Sequence, residues 1–516
     1  MTEHAFWKLA EEDPSRVAVI DAEGKAISAG ELLRASNQIV HGLRALGLQP
    51  GDAIAVMLTN EVAVLELYMA AVQAGWYMTP INSHLTAPEV AYIVGDCEAK
   101  ALFCNPRTAD ACVQAANSLN FPAQARFATG AVNGFRPFAE LKAGQPDTRP
   151  SDRRAGASMT YTSGTTGQPK GVRRPLAPVA PELVAEPNAM FLMLFGIQPK
   201  NNGVHLVVSP LYHTAVLNFC TNHMHFGHTV VLMDRWTPED TLQKIARYRV
   251  TTSHMVPTQF RRLLSLPEEV KASADVSSLR QVIHSAAPCP VDVKRKMLDW
   301  WGDVIYEYYA ASEGGGTLAT PQDWRKHPGT VGNAWPISKL KIKKDDGTDC
   351  APGEVGTVYM NMGQHKFAYH KDQKKTESTW KDDYFTVGDA GFLDADGFLF
   401  LCDRKSDMII SGGVNVYPAE IEAALGEHPK VRDVAVFGIP DDDWGEQIKA
   451  VVEPEAGATP GPALAEELLA FCKGRLAGFK CPKTIDFSVA LPRDPNGKLY
   501  KRKLRDPYWE GRGRAI

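Results

Sequence analysis

Apolar and polar positions alternate in two rhythms along the first 330 residues, and their interleaving predicts layered α/β architecture. Val62–Ala74 is apolar on several sides and stops at Gly75, the pattern of a buried helix with a glycine end signal. A short extended stretch, Trp76–Ile81, follows. Thr86 and Glu89 then form a capping-box pair opening a helix through Val94, and Ala101–Cys104 reads as a buried strand. The theme returns later, with strands at His205–Ser209 and Thr229–Met233 and helices at Thr237–Tyr248 and Asp292–Trp300. From 331 to 402 the rhythm shortens to strands broken by turns, at Lys339–Lys343, Glu354–Met360 and Gly397–Leu401, which predicts a β-rich subdomain.

A second domain is expected from about Arg404. Its predicted elements are a helix at Tyr417–Leu425, strands at Val431–Ile439 and Ile448–Val452, and a helix whose one face carries Leu464, Leu468, Cys472 and Leu476. Glu453–Pro462 reads as a surface loop. Lys501, Arg502, Lys503 and Arg505 read as a solvated basic face.

Bulk properties narrow the class. A chain of 516 residues with 44% apolar and 22% charged positions has material for a large core and a smaller one. Lys+Arg of 56 against Asp+Glu of 60 gives a formal charge of -4, which offers nothing to nucleic acid or to an acidic membrane. The nine cysteines form no CxxC pair, and no signal-peptide pattern or spanning apolar run occurs, so a reducing, cytoplasmic setting is expected. Nothing in the pattern speaks for or against self-association.

The segment Tyr161-Thr-Ser-Gly-Thr-Thr-Gly-Gln-Pro-Lys-Gly171 carries the most chemistry. Glycines let backbone N–H groups approach phosphates, hydroxyls add neutral donors, and Lys170 adds a cation. The Walker spacing does not fit it. Its residues Thr162, Ser163, Gly164, Thr165, Thr166, Gly167 and Lys170 closely resemble the phosphate loop of the adenylate-forming superfamily, which holds acyl–CoA synthetases, peptide-synthetase adenylation domains and firefly-type luciferases. Further motifs follow in that family's order.

Tyr306-Glu-Tyr-Tyr-Ala-Ala-Ser-Glu313 is similar to the family's Tyr-Gly-x-Thr-Glu motif. The resemblance implies that Tyr309 stacks on adenine, Ser312 meets the α-phosphate, and Glu313 holds Mg2+. His284-Ser285-Ala286-Ala287-Pro288 resembles the stretch whose backbone flanks adenine. Asp389 and Arg404 match the residues that bind ribose. Lys498, in Leu491-Pro-Arg-Asp-Pro-Asn-Gly-Lys-Leu499, matches the family's catalytic lysine, whose ammonium offsets the repulsion between a carboxylate and an α-phosphate. Ser312 stands where threonine is usual, and Ala310 where glycine is usual.

The same resemblance implies a fold: a large N-terminal domain over 1–403 of layered α/β subdomains plus a β-rich subdomain, a hinge over 404–406 turning at Ser406, and a small mobile α+β domain over 407–516. Gly412 and Gly413 would line the channel for the pantetheine arm of coenzyme A. His213, in Pro210-Leu-Tyr-His-Thr-Ala215, would border the acyl pocket, and no aspartate stands in that segment to pair a substrate amine. The bare run Gly314, Gly315, Gly316 suggests an open path for an extended or bulky acyl group. The expected activity is ligation of a carboxylic acid to CoA through acyl-AMP, using ATP and Mg2+. Loading of a carrier protein, and a catalytically silent ATP-binding homologue, are the alternatives.

Overall fold

The computed structural model describes residues 4–162, 169–363, 367–404, 407–411, 414–494 and 497–510, with the side chain of Thr162 also outside that description. The architecture is mixed α/β, with a large N-terminal part and a smaller C-terminal one.

Two sheets with a parallel core form the framework. One contains Ala53–Met57, flanked by Tyr77–Pro80 and Ala99–Cys104, and all its described pairings are parallel. In the other, Val17–Ile20, Thr229–Leu232, Val204–Val207, Thr252–Met255, Gln281–His284 and Ile305–Ala311 run parallel in that spatial order. Gly314–Ala319 then turns back antiparallel on Ile305–Ala311. Helices cover the faces, so the central strands carry nearly continuous apolar runs, as Ala53–Met57 does with every residue buried.

Local signals behave as their chemistry requires. The helix Val62–Ala74 ends at Gly75, whose φ of 75° is left-handed and costs glycine little. Glu89 accepts hydrogen bonds from the Thr86 backbone N–H and hydroxyl, both at 2.7 Å, at the start of Ala87–Asp96. Thr237 caps Pro238–Tyr248.

The β-rich region is antiparallel. Gly356–Asn361 pairs with Lys339–Lys343 and Asp389–Leu393, and the latter pairs with Leu399–Arg404. A separate sheet begins at Ile409–Ser411 and includes Val431–Asp441, Gly445–Pro454 and Thr484–Phe487, with Pro418–Gly426 and Pro462–Lys473 packed on it.

Two expectations are corrected. Leu476 lies beyond the helix Pro462–Lys473 and reaches the same core from the following turn. Lys501 and Arg505 do not form a solvated face. The Lys501 ammonium sits 2.9 Å from Glu422 and 3.9 Å from Asp403, and Arg505 lies 3.5 Å from Asp407. The final helix, Lys501–Trp509, packs on Val431–Asp441, which turns these two cations inward.

Candidate functional site

The end of the parallel sheet supplies the first cluster. Tyr309 lies near the end of Ile305–Ala311, and its hydroxyl donates to Asp389 Oδ2 at 2.5 Å. Asp389 opens the strand Asp389–Leu393 directly opposite Arg404, whose Nε is 3.5 Å from Asp389 Oδ1. Burial pushes the Asp389 carboxyl up and the Arg404 guanidinium pulls it back down. Burial also raises the Tyr309 hydroxyl, so the phenol keeps its proton and remains the donor. The sequence sets Tyr309 on adenine and Asp389 with Arg404 on ribose; the structure joins all three in one group, through a hydrogen bond and an ion pair.

Ser285, Ala286 and Ala287 follow directly on the strand Gln281–His284. Ala286 has φ 73°, a left-handed conformation that costs a residue with a Cβ. Ser285 Oγ lies 3.0 Å from His254 Nε2, which fixes the start of this turn.

Ser312 and Glu313 occupy the tight turn between Ile305–Ala311 and Gly314–Ala319. Arg174 clamps that turn by donating to the carbonyls of Ser312 at 2.8 Å and Glu313 at 3.2 Å. The Glu313 side chain accepts from the Tyr369 hydroxyl at 2.9 Å, and Ser312 Oγ is 3.4 Å from Thr214 Oγ1. Lys170 pairs with Asp372 at 2.8 Å. Arg174, Tyr369 and Asp372 escaped the sequence reading. Only the doubled arginine after the phosphate loop could have flagged the first, because the other two come from a distant strand and loop.

The C-terminal loop closes on this cluster. Arg493 forks onto Asp433, with bonds of 2.5 and 2.7 Å, and donates to the Gly497 carbonyl. Asp433 also meets Arg261 of the N-terminal part at 3.5 Å. Gly497 has φ 77°, and a Cβ there would lie 2.3 Å from Thr258 Oγ1, so glycine permits the close approach. Lys498 follows, anchored through its N–H to Asp494 Oδ1 at 2.9 Å. Burial lowers its ammonium pKa, with Arg404 adding to the fall and Asp494, Asp389 and Asp407 opposing it. Lys498 is therefore electrostatically coupled to the Tyr309–Asp389–Arg404 group across the domain boundary.

His213 stands at the N-terminal boundary of the helix Thr214–His225. Burial pushes its imidazole down to about 3, and its Nε2 has no hydrogen-bond partner among the described residues. It is a neutral ring at physiological pH. Lys498 contributes to the same lowering, so His213 and Lys498 share one environment.

The glycine run needs a different explanation from an open path. Gly314 and Gly315 have φ of 131° and 74°. A Cβ on Gly315 would lie 2.5 Å from Met360 Sδ, and one on Gly316 would lie 2.2 Å from Trp335 Cζ2. The space above Gly315 and Gly316 is filled by those side chains, and Gly316 is a seat for the Trp335 ring. Gly314 and Gly315 still border the cleft, as do His213, Ser285, Tyr309, Ser312, Glu313 and Lys498. Ser163, Gly164, Thr165, Thr166, Gly167, Ser406, Gly412 and Gly413 lie outside the described residues.

Residues 6–365 match the family model for AMP-binding enzymes. The chain belongs to the AMP-binding enzyme family. A second model, for the C-terminal domain of these enzymes, matches residues 420–498 and so spans Asp433, Arg493 and Lys498. Among relatives of this AMP-binding enzyme, a fatty acid–[acyl-carrier-protein] ligase, ScoC, of Streptomyces coeruleorubidus is 31% identical, covering 98% of this chain and 96% of that protein. A feruloyl-CoA synthase from an Amycolatopsis species is 32% identical over 93% of this chain and 94% of its own. The Bacillus subtilis o-succinylbenzoate CoA synthetase, solved with its acyl-adenylate intermediate, superposes with a TM-score of 0.81 at 26% identity, covering 98% of each chain. The family places the chain in the adenylate-forming superfamily, on its acyl–CoA synthetase branch. Among the described residues, no helix of this AMP-binding enzyme is long and apolar enough to cross a membrane.

Proposed function

We propose that this AMP-binding enzyme is an ATP-dependent carboxylic acid–CoA ligase of the AMP-forming acid–thiol class. The observation that carries the reading is the docked C-terminal loop, which couples Lys498 to Asp389 and Arg404 and to His213. A cation in that position faces both a nucleotide and an acid.

In the first half-reaction a carboxylate oxygen attacks the α-phosphorus of ATP, and the bond to pyrophosphate breaks. Lys498 holds both anions and offsets their repulsion. Tyr309 stacks on adenine, while Ser285, Ala286 and Ala287 flank its edge. Asp389 and Arg404 hold the ribose, with the Tyr309–Asp389 bond fixing the ring against the carboxylate. Residues 162–167 and Lys170 cradle the β- and γ-phosphates, and Ser312 meets the α-phosphate.

Glu313 suits a hard cation: one carboxylate oxygen accepts from Tyr369, leaving the other for a metal. Mg2+ there would neutralise phosphate charge. In the second half-reaction the CoA sulfur attacks the acyl carbonyl carbon, and the bond to AMP breaks. Gly412 and Gly413 give the pantetheine arm passage, and His213 separates the acyl and thiol sides. We place the domains at 1–403 and 407–516. The sheet holding Leu399–Arg404 ends there and the next starts at Ile409, and a turn about Ser406 exchanges the two faces of the C-terminal domain. The nine cysteines are all free thiols, which suits the reducing cytoplasm.

A carrier protein is the alternative acceptor, favoured by the Streptomyces relative, which is named for ligation to an acyl-carrier protein. A carboxylic-acid panel read by pyrophosphate release and thioester formation, with CoA or with a phosphopantetheinylated carrier protein, tests the proposal. Acyl-CoA from free CoA is the expected result. Acylation of the carrier alone overturns the acceptor, and pyrophosphate from no acid overturns the ligase.

A further inference from the structure

Starting from Thr214, which lies 3.4 Å from Ser312 Oγ, the helix Thr214–His225 runs along the cleft. Its cleft-facing positions Asn218, Asn222 and His225 recur at helical spacing, and all three are polar. Asn222 is only 8% exposed, yet its side-chain amide has no hydrogen-bond partner among the described residues. His225 is 2% exposed. Its Nδ1 accepts from the Phe6 N–H at 3.0 Å. Burial holds the ring neutral, with a pKa of about 3, so its proton must sit on Nε2 as a further donor facing no described partner. Neither the Asn222 amide nor His225 Nε2 is sealed off from the cleft, so both can meet a ligand group, and a ligand that covers them without pairing them loses free energy.

A second wall of the cleft is aromatic. Phe191 packs edge-on to Trp335, with ring centroids 5.2 Å apart, and Phe219 lies 5.8 Å from Tyr308 and 5.0 Å from His254. These rings brace one another and present stiff faces. In this wall His254 Nδ1 and Trp335 Nε1 are buried without hydrogen-bond partners among the described residues.

An unbranched alkyl chain would cover Asn222 and His225 without pairing them. A ring system would lie against the aromatic wall at a low entropic cost, and an oxygen at its far end would pair the amide. Along a helix, Thr214 to Asn222 spans about 12 Å. We propose that the acid activated here is a rigid cyclic carboxylic acid bearing a hydrogen-bonding oxygen about 12 Å from its carboxyl group, met by Asn222 and His225. The inference rests on the ligase reading and names the substrate class of that same site.

The test uses the full chain with ATP and CoA and three probes: biphenylpropanoic acid, its analogue with a para-hydroxyl on the distal ring, and dodecanoic acid as a length-matched chain. The hydroxylated acid should show a kcat/KM at least about tenfold above either of the others, well within the discrimination that a site built to pair a hydroxyl can reach. Asn222→Leu should collapse the ratio between the two biphenyl acids to within about twofold. If that variant does not fold, Asn222→Ser, smaller and still polar, should narrow the same ratio. Dodecanoic acid used as well as the hydroxylated acid, or biphenyl acids used equally by the wild type, overturns the inference and leaves acid activation standing. Pyrophosphate from none of the probes nor from the wider acid panel overturns the inference together with the ligase reading.

Discussion

The Tyr309 hydroxyl donates to Asp389 at 2.5 Å, joining the end of a parallel-sheet strand to the start of a strand in the β-rich region. Removing that donor should loosen the nucleotide site without touching the acid site. Tyr309→Phe keeps the stacking face and leaves the buried carboxylate short of one bond. The KM for ATP should rise about ten- to a hundredfold, the range of one lost hydrogen bond to a charged group, with a smaller change in kcat. Steady-state pyrophosphate release against ATP concentration reads this. An unchanged ATP KM would mean that Asp389 is held by Arg404 alone.

Lys498 should matter to one half-reaction only. Lys498→Ala should slow acyl-AMP formation by at least about a hundredfold, as expected when a charge contact made in the transition state is lost. The variant should still convert supplied acyl-AMP and CoA into acyl-CoA. Equal loss in both assays would place the lysine in general binding and remove the argument for two faces.

Gly315 is predicted to be a packing position. Its φ is 74°, and the Met360 sulfur lies 2.5 Å from where a Cβ would stand, which leaves no room for a side chain. Gly315→Ala should destabilise the protein by about 1–3 kcal/mol and reduce activity toward all acids alike. A selective loss of the larger acids in a length series would restore the pocket-wall reading for this residue.

Lys501 and Glu422 form a largely buried pair at 2.9 Å. Lys501→Met leaves the Glu422 carboxylate buried beside Asp403, and should cost about 3–5 kcal/mol. Lys501→Met combined with Glu422→Leu should recover most of that loss. Urea midpoints of the single and double variants give the comparison, and a single variant as stable as the wild type refutes a burial penalty here.

Acid should destabilise the fold early. Burial holds His205, His213 and His225 down at about 3 and His228 and His254 down at about 4, from an ordinary 6.5. The unfolded chain binds protons on these rings from 6.5 downward, whereas the folded chain does not until near 4 or 3. The stability they allow is complete above the unfolded value and falls as pH drops through that window. Each ring removes about 2 kcal/mol by about pH 5. The Tm measured between about pH 7 and about pH 5 should therefore decline steeply. A flat Tm over that range contradicts a neutral histidine core.

The sequence by itself determined the local elements and the family. Gly75, the Thr86–Glu89 pair and Thr237 set helix ends through contacts within a few residues, so their signals needed no tertiary information. The ordered motifs around Lys170, Tyr309, Glu313, Asp389 and Lys498 identified the superfamily because phosphate and nucleotide chemistry restricts residue type. What only the tertiary structure decided were the partners brought from far along the chain: Asp389 for Tyr309, Arg174 and Tyr369 for the Glu313 turn, and Asp433 for Arg261. Lys501 and Arg505 looked solvated because a basic run has no internal sign of the acids that fold back onto it. Gly315 and Gly316 looked open because the sequence does not reveal that Met360 and Trp335 fill the space above them. Helix caps and residue chemistry act over one turn of chain and are written there, whereas burial and long-range pairing depend on which distant segments the two sheets bring together.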